Sequence, residues 1–393
     1  MARPRPVGQH VGKPPGSCPP PHDSPTRGRE VSDQQSPEEA RSANPGGRSD
    51  RSAEPSSRYR VAQWATGNIG TRALRCVIEH PQYDLVGVHV HSDAKVGRDA
   101  GDLCGTGPTG VRATGDIESI LAAEPDCVLY MPAPEGIRID ELCRLLASGA
   151  NIVTVLTASD LTPGVRRRIE AACELGRTSF YATGSSPGWI TEVLPLAVTA
   201  LQRRLDRLTI EEFADMSTRD SPELFSQMFG GDPAAMDLTH LTARLQEGFG
   251  SSLRQLADGL ETPLDAITAT ASVAVAAKPA KIGPGAIEAG TVAAWRFEVT
   301  GLRDGRPFMV IRPTWYVTRD LEPAWEVRDT GWHVVVEGDA PLDIDIRVAT
   351  ENYAAFSPGY TAHIAVNTVP VVCAAPPGIR TTFDLPRMVA NLA

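Results

Sequence analysis

An α/β fold built on a doubly wound parallel sheet, followed by an α+β second domain, is predicted by three observations. From Tyr59 to Ala182 short apolar runs alternate with helical stretches, and the runs are continuous in the way of strands covered on both faces. The first run passes straight into Gly67-Asn68-Ile69-Gly70 at the head of a helix. Beyond Pro187 the alternation gives way to longer helical stretches and then to successive strands.

The strand that opens at Tyr59 leads through the glycines to a helix whose buried side carries Leu74, Val77 and Ile78, and Leu85 to Val90 forms the next strand of a βαβ unit. Glu118 to Ala123 reads as helix and Cys127 to Met131 as strand. Ile139, Leu142, Leu145 and Leu146 give a helical stripe closed by Gly149. Asn151 to Leu156 is the following strand. Thr162-Pro163 has the cap and first-turn chemistry of a helix carrying Val165, Ile169 and Cys173, which Gly176 ends before the strand Ser179 to Ala182. Connections that cross over in this way require parallel strands, the Rossmann-type arrangement.

Pro187 and Gly188 fix a turn, so Gly184 to Trp189 is the expected hinge between domains. Ile190, Val193, Leu194, Ala197, Val198, Leu201 and Leu205 then predict one long amphipathic helix leading into the strand Leu208 to Phe213. Helical segments follow at Pro222 to Met228 and Met236 to Leu260. Trp295 to Thr300 and Phe308 to Val317 flank a hairpin turn containing Asp304-Gly305, and Trp332 to Glu337 and Ile344 to Val348 are further strands. The expected organisation is a tail over 1–57, a dinucleotide-binding domain over 58–188, an α+β substrate domain over 189–365 whose open sheet could pair with that of a second subunit, and a return segment over 366–393 that packs on the first domain.

The 393 residues, 41% hydrophobic and 22% charged, suffice for two cored domains, whereas residues 1–57, rich in Arg, Pro, Ser and Gly, read as a disordered tail. The formal net charge of -10 disfavours a nucleic-acid partner, and without a membrane span or secretory signal a cytoplasmic location is expected. The 7 cysteines are scattered without a Cys-x-x-Cys pair and read as reduced, largely buried thiols.

The glycine loop is where a dinucleotide pyrophosphate would sit. Gly67 lets the backbone approach the phosphates, Gly70 lets helix and strand pack closely, and Thr66, Asn68 and Ile69 complete the loop, although Ala65 stands where the full fingerprint has its first glycine. The loops leaving two later strands, Pro132-Ala133 and Thr157-Ala158, belong to the same sheet edge. At the end of the second strand Ser92, Lys95 and Arg98 favour the 2′-phosphate of NADP, while Asp93 keeps NAD open. His89 and His91, at strand spacing, resemble half a metal site, but no further ligands complete one and no metal is expected. His240, His333 and His363 stand isolated.

Trp64 to Gly70, Val96 to Asp102, Thr183-Gly184-Ser185-Ser186-Pro187-Gly188-Trp189, and Val366-Asn367-Thr368-Val369-Pro370 with Pro376-Pro377-Gly378-Ile379 together resemble the 2,4-diaminopentanoate dehydrogenase and native amine dehydrogenase family. That family is similar in its first domain to dihydrodipicolinate reductase. The resemblance covers nearly everything after residue 58. It implies NAD(P)-linked interconversion of a ketone plus ammonia with an amine, a homodimer, and Asn367 near the nicotinamide; read from the residues alone, Asn367 equally well caps a turn before Pro370.

One departure is chemical. Where the family carries a glutamate after the strand corresponding to Asn151 to Leu156, this chain reads Thr157-Ala158-Ser159-Asp160. Asp160 is the candidate for proton transfer or, alternatively, a helix cap; Glu135, after Cys127 to Met131, is a second candidate or a solvated loop charge. The His-His and lysine pattern of dihydrodipicolinate reductase is missing, and no obvious cation cluster marks the second domain, which favours a less anionic carbonyl or amine substrate. The expected function is an NADP-dependent oxidoreductase at an imine or carbonyl carbon. The alternatives are an NADP(H)-binding sensor without turnover and a carbonyl reductase without amine chemistry.

Overall fold

Short apolar runs supply the strands of the first sheet. The computed structural model describes residues 58–133, 136–156, 161–219, 222–283, 285–350 and 352–390, so the expected tail over 1–57 lies outside it. In chain order the first elements are β1 (Tyr59–Trp64), α1 (Asn68–Glu79), β2 (Tyr83–His89), α2 (Ala100–Cys104), β3 (Ala113–Thr114), α3 (Ile117–Ala122), β4 (Cys127–Tyr130), α4 (Ile139–Ala147), β5 (Asn151–Thr154), α5 (Pro163–Gly176) and β6 (Ser179–Ala182). The strands lie in the order β3-β2-β1-β4-β5-β6, every pair parallel. The order reverses between β1 and β4, and in such sheets ligands bind beyond the carboxyl ends of the strands at that point. Thr162 caps α5 by accepting from the Val165 N–H, with Pro163 in the first turn, as its sequence predicts.

The second half comprises α6 (Leu194–Thr199), β7 (Leu205–Asp215), α7 (Pro222–Met228), α8 (Leu238–Gly259), β8 (Ala266–Ala276), β9 (Ala280–Ile282), β10 (Gly285–Ile287), β11 (Val292–Arg303), β12 (Arg306–Tyr316), β13 (Leu321–Glu322), β14 (Gly331–Gly338), β15 (Leu342–Arg347), α9 (Tyr353–Asn367), α10 (Val369–Cys373) and β16 (Gly378–Arg380). Its sheet runs β13-β8-β11-β12-β7-β14-β15. It is mixed, because β7 and β12 run parallel and the other pairs antiparallel. The β11–β12 hairpin turns on Asp304 and Gly305, whose φ of 51° and 68° are the pair that a two-residue loop demands. One face is covered by α8, whose Phe249, Leu253 and Leu256 pack on Leu208, Ile210, Val299 and Val334. On the other face Thr268, Thr270 and Ser272 are exposed.

Three expectations change. The turn at Pro187 and Gly188 is non-helical as expected, but the long helix from Ile190 to Leu205 is cut short: α6 stops at Thr199, Leu201 is exposed and Leu205 already begins β7. The break is held by Asp339, whose carboxylate accepts from the N–H groups of Arg203 and Arg204 and so ties the chain to the β14–β15 loop. β8 and α9 are further elements that the apolar pattern did not announce. The chain also returns to the first sheet earlier than residue 366, since α9 lies on α1 with Arg72 donating to the Ala355 carbonyl, and β16 then adds parallel to β6.

The face opposite α8 carries a row of charges across the strands. Arg312 bridges Glu211 at 2.8 Å and Glu298 at 2.7 Å, while the His333 ring contacts Glu211 at 2.9 Å and Asp343 at 2.8 Å. Burial pulls the imidazole pKa down, but the bonds to Glu211 and Asp343 outweigh it and leave the value raised. A pKa higher in the folded than in the unfolded state stabilises fully below the unfolded value, about 6.5, and the contribution fades as pH rises through the folded value. Thermal melts of the protein are therefore expected to show stability falling on the alkaline side of about pH 6.5, with a smaller fall in His333→Gln. Equal slopes in the two proteins would exclude His333 as the cause.

Candidate active site

The loops after β1, β4 and β5 open onto one cleft. Gly67, Asn68, Ile69, Pro132, Ala133, Val155 and Leu156 line a cavity of about 940 Å³, with Arg244 and Phe249 of α8 and Trp315 of β12 on the opposite wall. Trp315 is fixed from behind, since its indole N–H and that of Trp332 donate to the two oxygens of Glu212 at 2.9 and 3.0 Å.

Each residue of the loop has a separate physical task. Gly67 is the N-cap of α1 at φ -75°, ψ -162°, a conformation open to any residue, and a Cβ built there meets nothing within 4 Å. The position faces the cleft, so the missing side chain leaves room for a ligand rather than for the chain. No side chain caps α1 and no acid occupies its first turn, which leaves N–H donors and a positive dipole end toward the cleft. A pyrophosphate fits this donor set. Gly70 differs, because its Cβ would stand 2.2 Å from the Ala65 carbonyl oxygen. Ala65 itself holds φ 68°, a region that favours the glycine found there in the full fingerprint.

Thr66 is buried and Lys95 donates to its carbonyl at 2.9 Å and its hydroxyl at 3.1 Å, so this ammonium braces the phosphate loop from the turn after β2. Ser92 and Arg98 are exposed, and Arg98 reaches the Asp102 carbonyl. Asn367 is not at this edge. It ends α9 and lines a different cavity with Tyr59, Asp126 and Asn151, at the amino ends of β1, β4 and β5, which corrects its expected place beside the nicotinamide. α9 sends Thr361 to the cleft side instead, where its hydroxyl contacts that of Ser185 at 2.8 Å. Thr157, Ala158, Asp160 and Glu135 lie outside the described residues. His89, which pairs with His91 in the sequence, is buried and stacks on Trp64 with centroids 3.6 Å apart; burial lowers its pKa to about 4. Among the described residues no group of three or more His, Cys, Asp or Glu is placed to hold a metal ion.

A second cavity, of about 620 Å³, adjoins the first and shares Ile69, Val155, Leu156, Pro187 and Gly248 with it. Glu192 lines it, only 6% exposed. The carboxylate accepts from Ser252 at 2.8 Å and from Thr382, and Tyr181 contacts the Thr382 hydroxyl at 3.0 Å. Burial raises its pKa and the two hydroxyl bonds offset only part of that. Arg166 of α5, Arg254 of α8 and Arg380 of β16 also line this cavity. The second domain contributes only Arg254 to this wall; the other two come from the first sheet and its helices, and only folding brings them opposite α8.

Sequence reasoning missed Glu192, Thr361 and Trp315. The signal for Glu192 was an acid inside an apolar helical pattern, next to Ile190 and Val193.

A family model for the 2,4-diaminopentanoate dehydrogenase C-terminal domain matches residues 192–393, and one for the dihydrodipicolinate reductase N-terminus matches residues 64–174. An amine dehydrogenase of Streptomyces virginiae is 33% identical over 342 residues, 82% of this chain and 95% of that protein. A 4-hydroxy-tetrahydrodipicolinate reductase of Agrobacterium fabrum is 28% identical over 194 residues, 48% of this chain and 69% of that protein. The solved structure of an amine dehydrogenase from Mycobacterium smegmatis superposes with a TM-score of 0.68 at 20% identity, covering 85% of this chain and 97% of that one, which speaks for the fold. A parallel sheet with an open glycine loop, joined to a mixed-sheet second domain and matched along its length by these relatives, makes the chain a member of the 2,4-diaminopentanoate dehydrogenase and amine dehydrogenase family of oxidoreductases.

Proposed function

We propose that the protein is an NADP-dependent dehydrogenase that moves hydride between the nicotinamide and an imine or carbonyl carbon, with ammonia as co-substrate. The observation that carries this reading is the continuity of the two cavities, one at the open, uncapped start of α1 and the other lined by a buried acid. Bound NADPH would supply the hydride. Gly67, Asn68 and Ile69 would hold its pyrophosphate, and Pro132, Ala133, Val155 and Leu156 would flank its path along the sheet edge. The preference for NADP over NAD rests on Ser92 and Arg98, since Lys95 is engaged by Thr66. α8 and Trp315 would exclude water from the reacting carbon.

Asp160 and Glu135 stand as acid–base candidates through their sequence positions; an Asp160→Asn enzyme with full turnover would remove Asp160 from that role. We also propose a homodimer formed through the face of the second sheet opposite α8, where Arg312 and His333 lie, to be checked by light scattering. The functional test is a fluorescence titration with NADPH and NADH followed by ketones and aldehydes, charged and uncharged, with and without ammonium. Ammonium-dependent oxidation of NADPH is expected. Tight binding with no turnover would favour a sensor, and turnover indifferent to ammonium a carbonyl reductase.

A further inference from the structure

We infer that Glu192 is the acid–base residue of the substrate cavity, moving protons to and from the amine nitrogen and the departing oxygen; this rests on the reading of the protein as an amine dehydrogenase. A carboxylate taken out of water is costly unless a cation or hydrogen bonds compensate it. Glu192 has no cation within salt-bridge distance among the described residues and yet borders a cavity large enough for a small substrate.

The hydrogen-bond directions are fixed by the surrounding chain. The Gly188 N–H donates to the Thr191 hydroxyl at 2.9 Å, so that hydroxyl gives its own proton to Ser252 at 3.1 Å, and Ser252 gives its proton to Glu192. On the other oxygen Thr382 donates, which leaves Tyr181 to donate to Thr382. Donors thus converge on both oxygens and none of these side chains is a counter-ion. The turn at 185–193, α8 and the segment after β16 each supply one part, so the carboxylate is positioned by three separate stretches of chain. The charged groups on the other walls of the cavity are Arg166, Arg254, Arg380 and Glu247.

The chemistry balances with one shuttled proton. Ionised Glu192 takes a proton from ammonium, and the freed ammonia adds to the substrate carbonyl, a proton passing from its nitrogen to the new alkoxide oxygen to give a carbinolamine. Protonated Glu192 then returns that proton to the departing hydroxyl, so that the C–O bond breaks, water leaves and a cationic iminium remains. Hydride from the reduced dinucleotide completes the amine, and Glu192 ends ionised as it began. In this scheme Glu192 does the proton work that the family assigns to the glutamate absent at Thr157 to Asp160.

The test is Glu192→Gln, with Glu192→Asp beside it. In an enzyme that turns over with ammonium, Glu192→Gln is expected to lower kcat by about 100-fold, to keep the wild-type affinity for NADPH, and to lose the pH dependence that Glu192→Asp retains. Full ammonium-dependent turnover by Glu192→Gln overturns the inference while leaving the proposed function intact. A second readout needs no turnover: infrared difference spectra of wild type with oxidised dinucleotide, taken on adding n-propylamine at constant pH. Conversion of a carboxylate band to a protonated carboxyl band, missing in Glu192→Gln, supports the inference even where no substrate has been found, and an identical response in both proteins overturns it. If Glu192→Gln does not fold, Ser252→Ala is used, and removal of one donor is expected to move the band's midpoint to higher pH. An unmoved midpoint overturns the assignment.

Discussion

Gly67→Asp is expected to weaken dinucleotide binding by on the order of 1000-fold, about 4 kcal/mol, without loss of fold stability. The two effects separate because of what surrounds the position. The backbone at φ -75°, ψ -162° suits any residue, and a Cβ meets nothing within 4 Å. Aspartate is a strong N-cap and its charge suits the start of a helix, so stability is expected to hold or rise by up to about 1 kcal/mol. The same charge would occupy the space of a pyrophosphate and compete for its donors. Calorimetric titration with NADPH, with a thermal melt of the same sample, checks both halves. Binding at wild-type affinity would mean that the dinucleotide lies elsewhere.

Gly70→Ala is expected to have the opposite profile, a loss of stability of about 3 kcal/mol. Its added Cβ would lie 2.2 Å from the Ala65 carbonyl oxygen and 3.0 Å from the Gln63 side-chain nitrogen. Relief requires α1 to move away from β1, and Ala65, already at φ 68°, has little freedom to yield. Because α1 also carries α9 through Arg72, the displacement would reach the returning chain. Denaturant titration measures the effect, and an unchanged midpoint would show that the helix does not depend on this close approach.

These two glycines mark what was legible in the sequence. The strand-loop-helix pattern around them, the alternation up to Ala182 and the hairpin at Asp304-Gly305 depend on local signals: apolar periodicity, caps and turn residues. β8 escaped because the middle of its half-buried side is alanine, Ala269 and Ala271 between Ile267 and Val273, so the apolar signal there is weak. α9 escaped because Pro358 and Gly359 interrupt it, although Ala362, Ala365, Val366 and Val369 keep helical spacing and are buried. Asn367 was misplaced because its sequence neighbours say nothing about which edge of the sheet the chain crosses. Glu192 and the three cavity arginines come together only through tertiary contacts between α5, α8 and β16, and no spacing in the chain records them.

The most direct test of the account is isotope transfer. NADPH carrying deuterium at the transferable position of nicotinamide C4 is mixed with enzyme, an accepted ketone and ammonium, and the product is examined by NMR. One deuterium is expected on the carbon that bore the oxygen and a nitrogen in its place, with no such product when ammonium is omitted. An amine without deuterium, or deuterated alcohol formed equally well without ammonium, would contradict it.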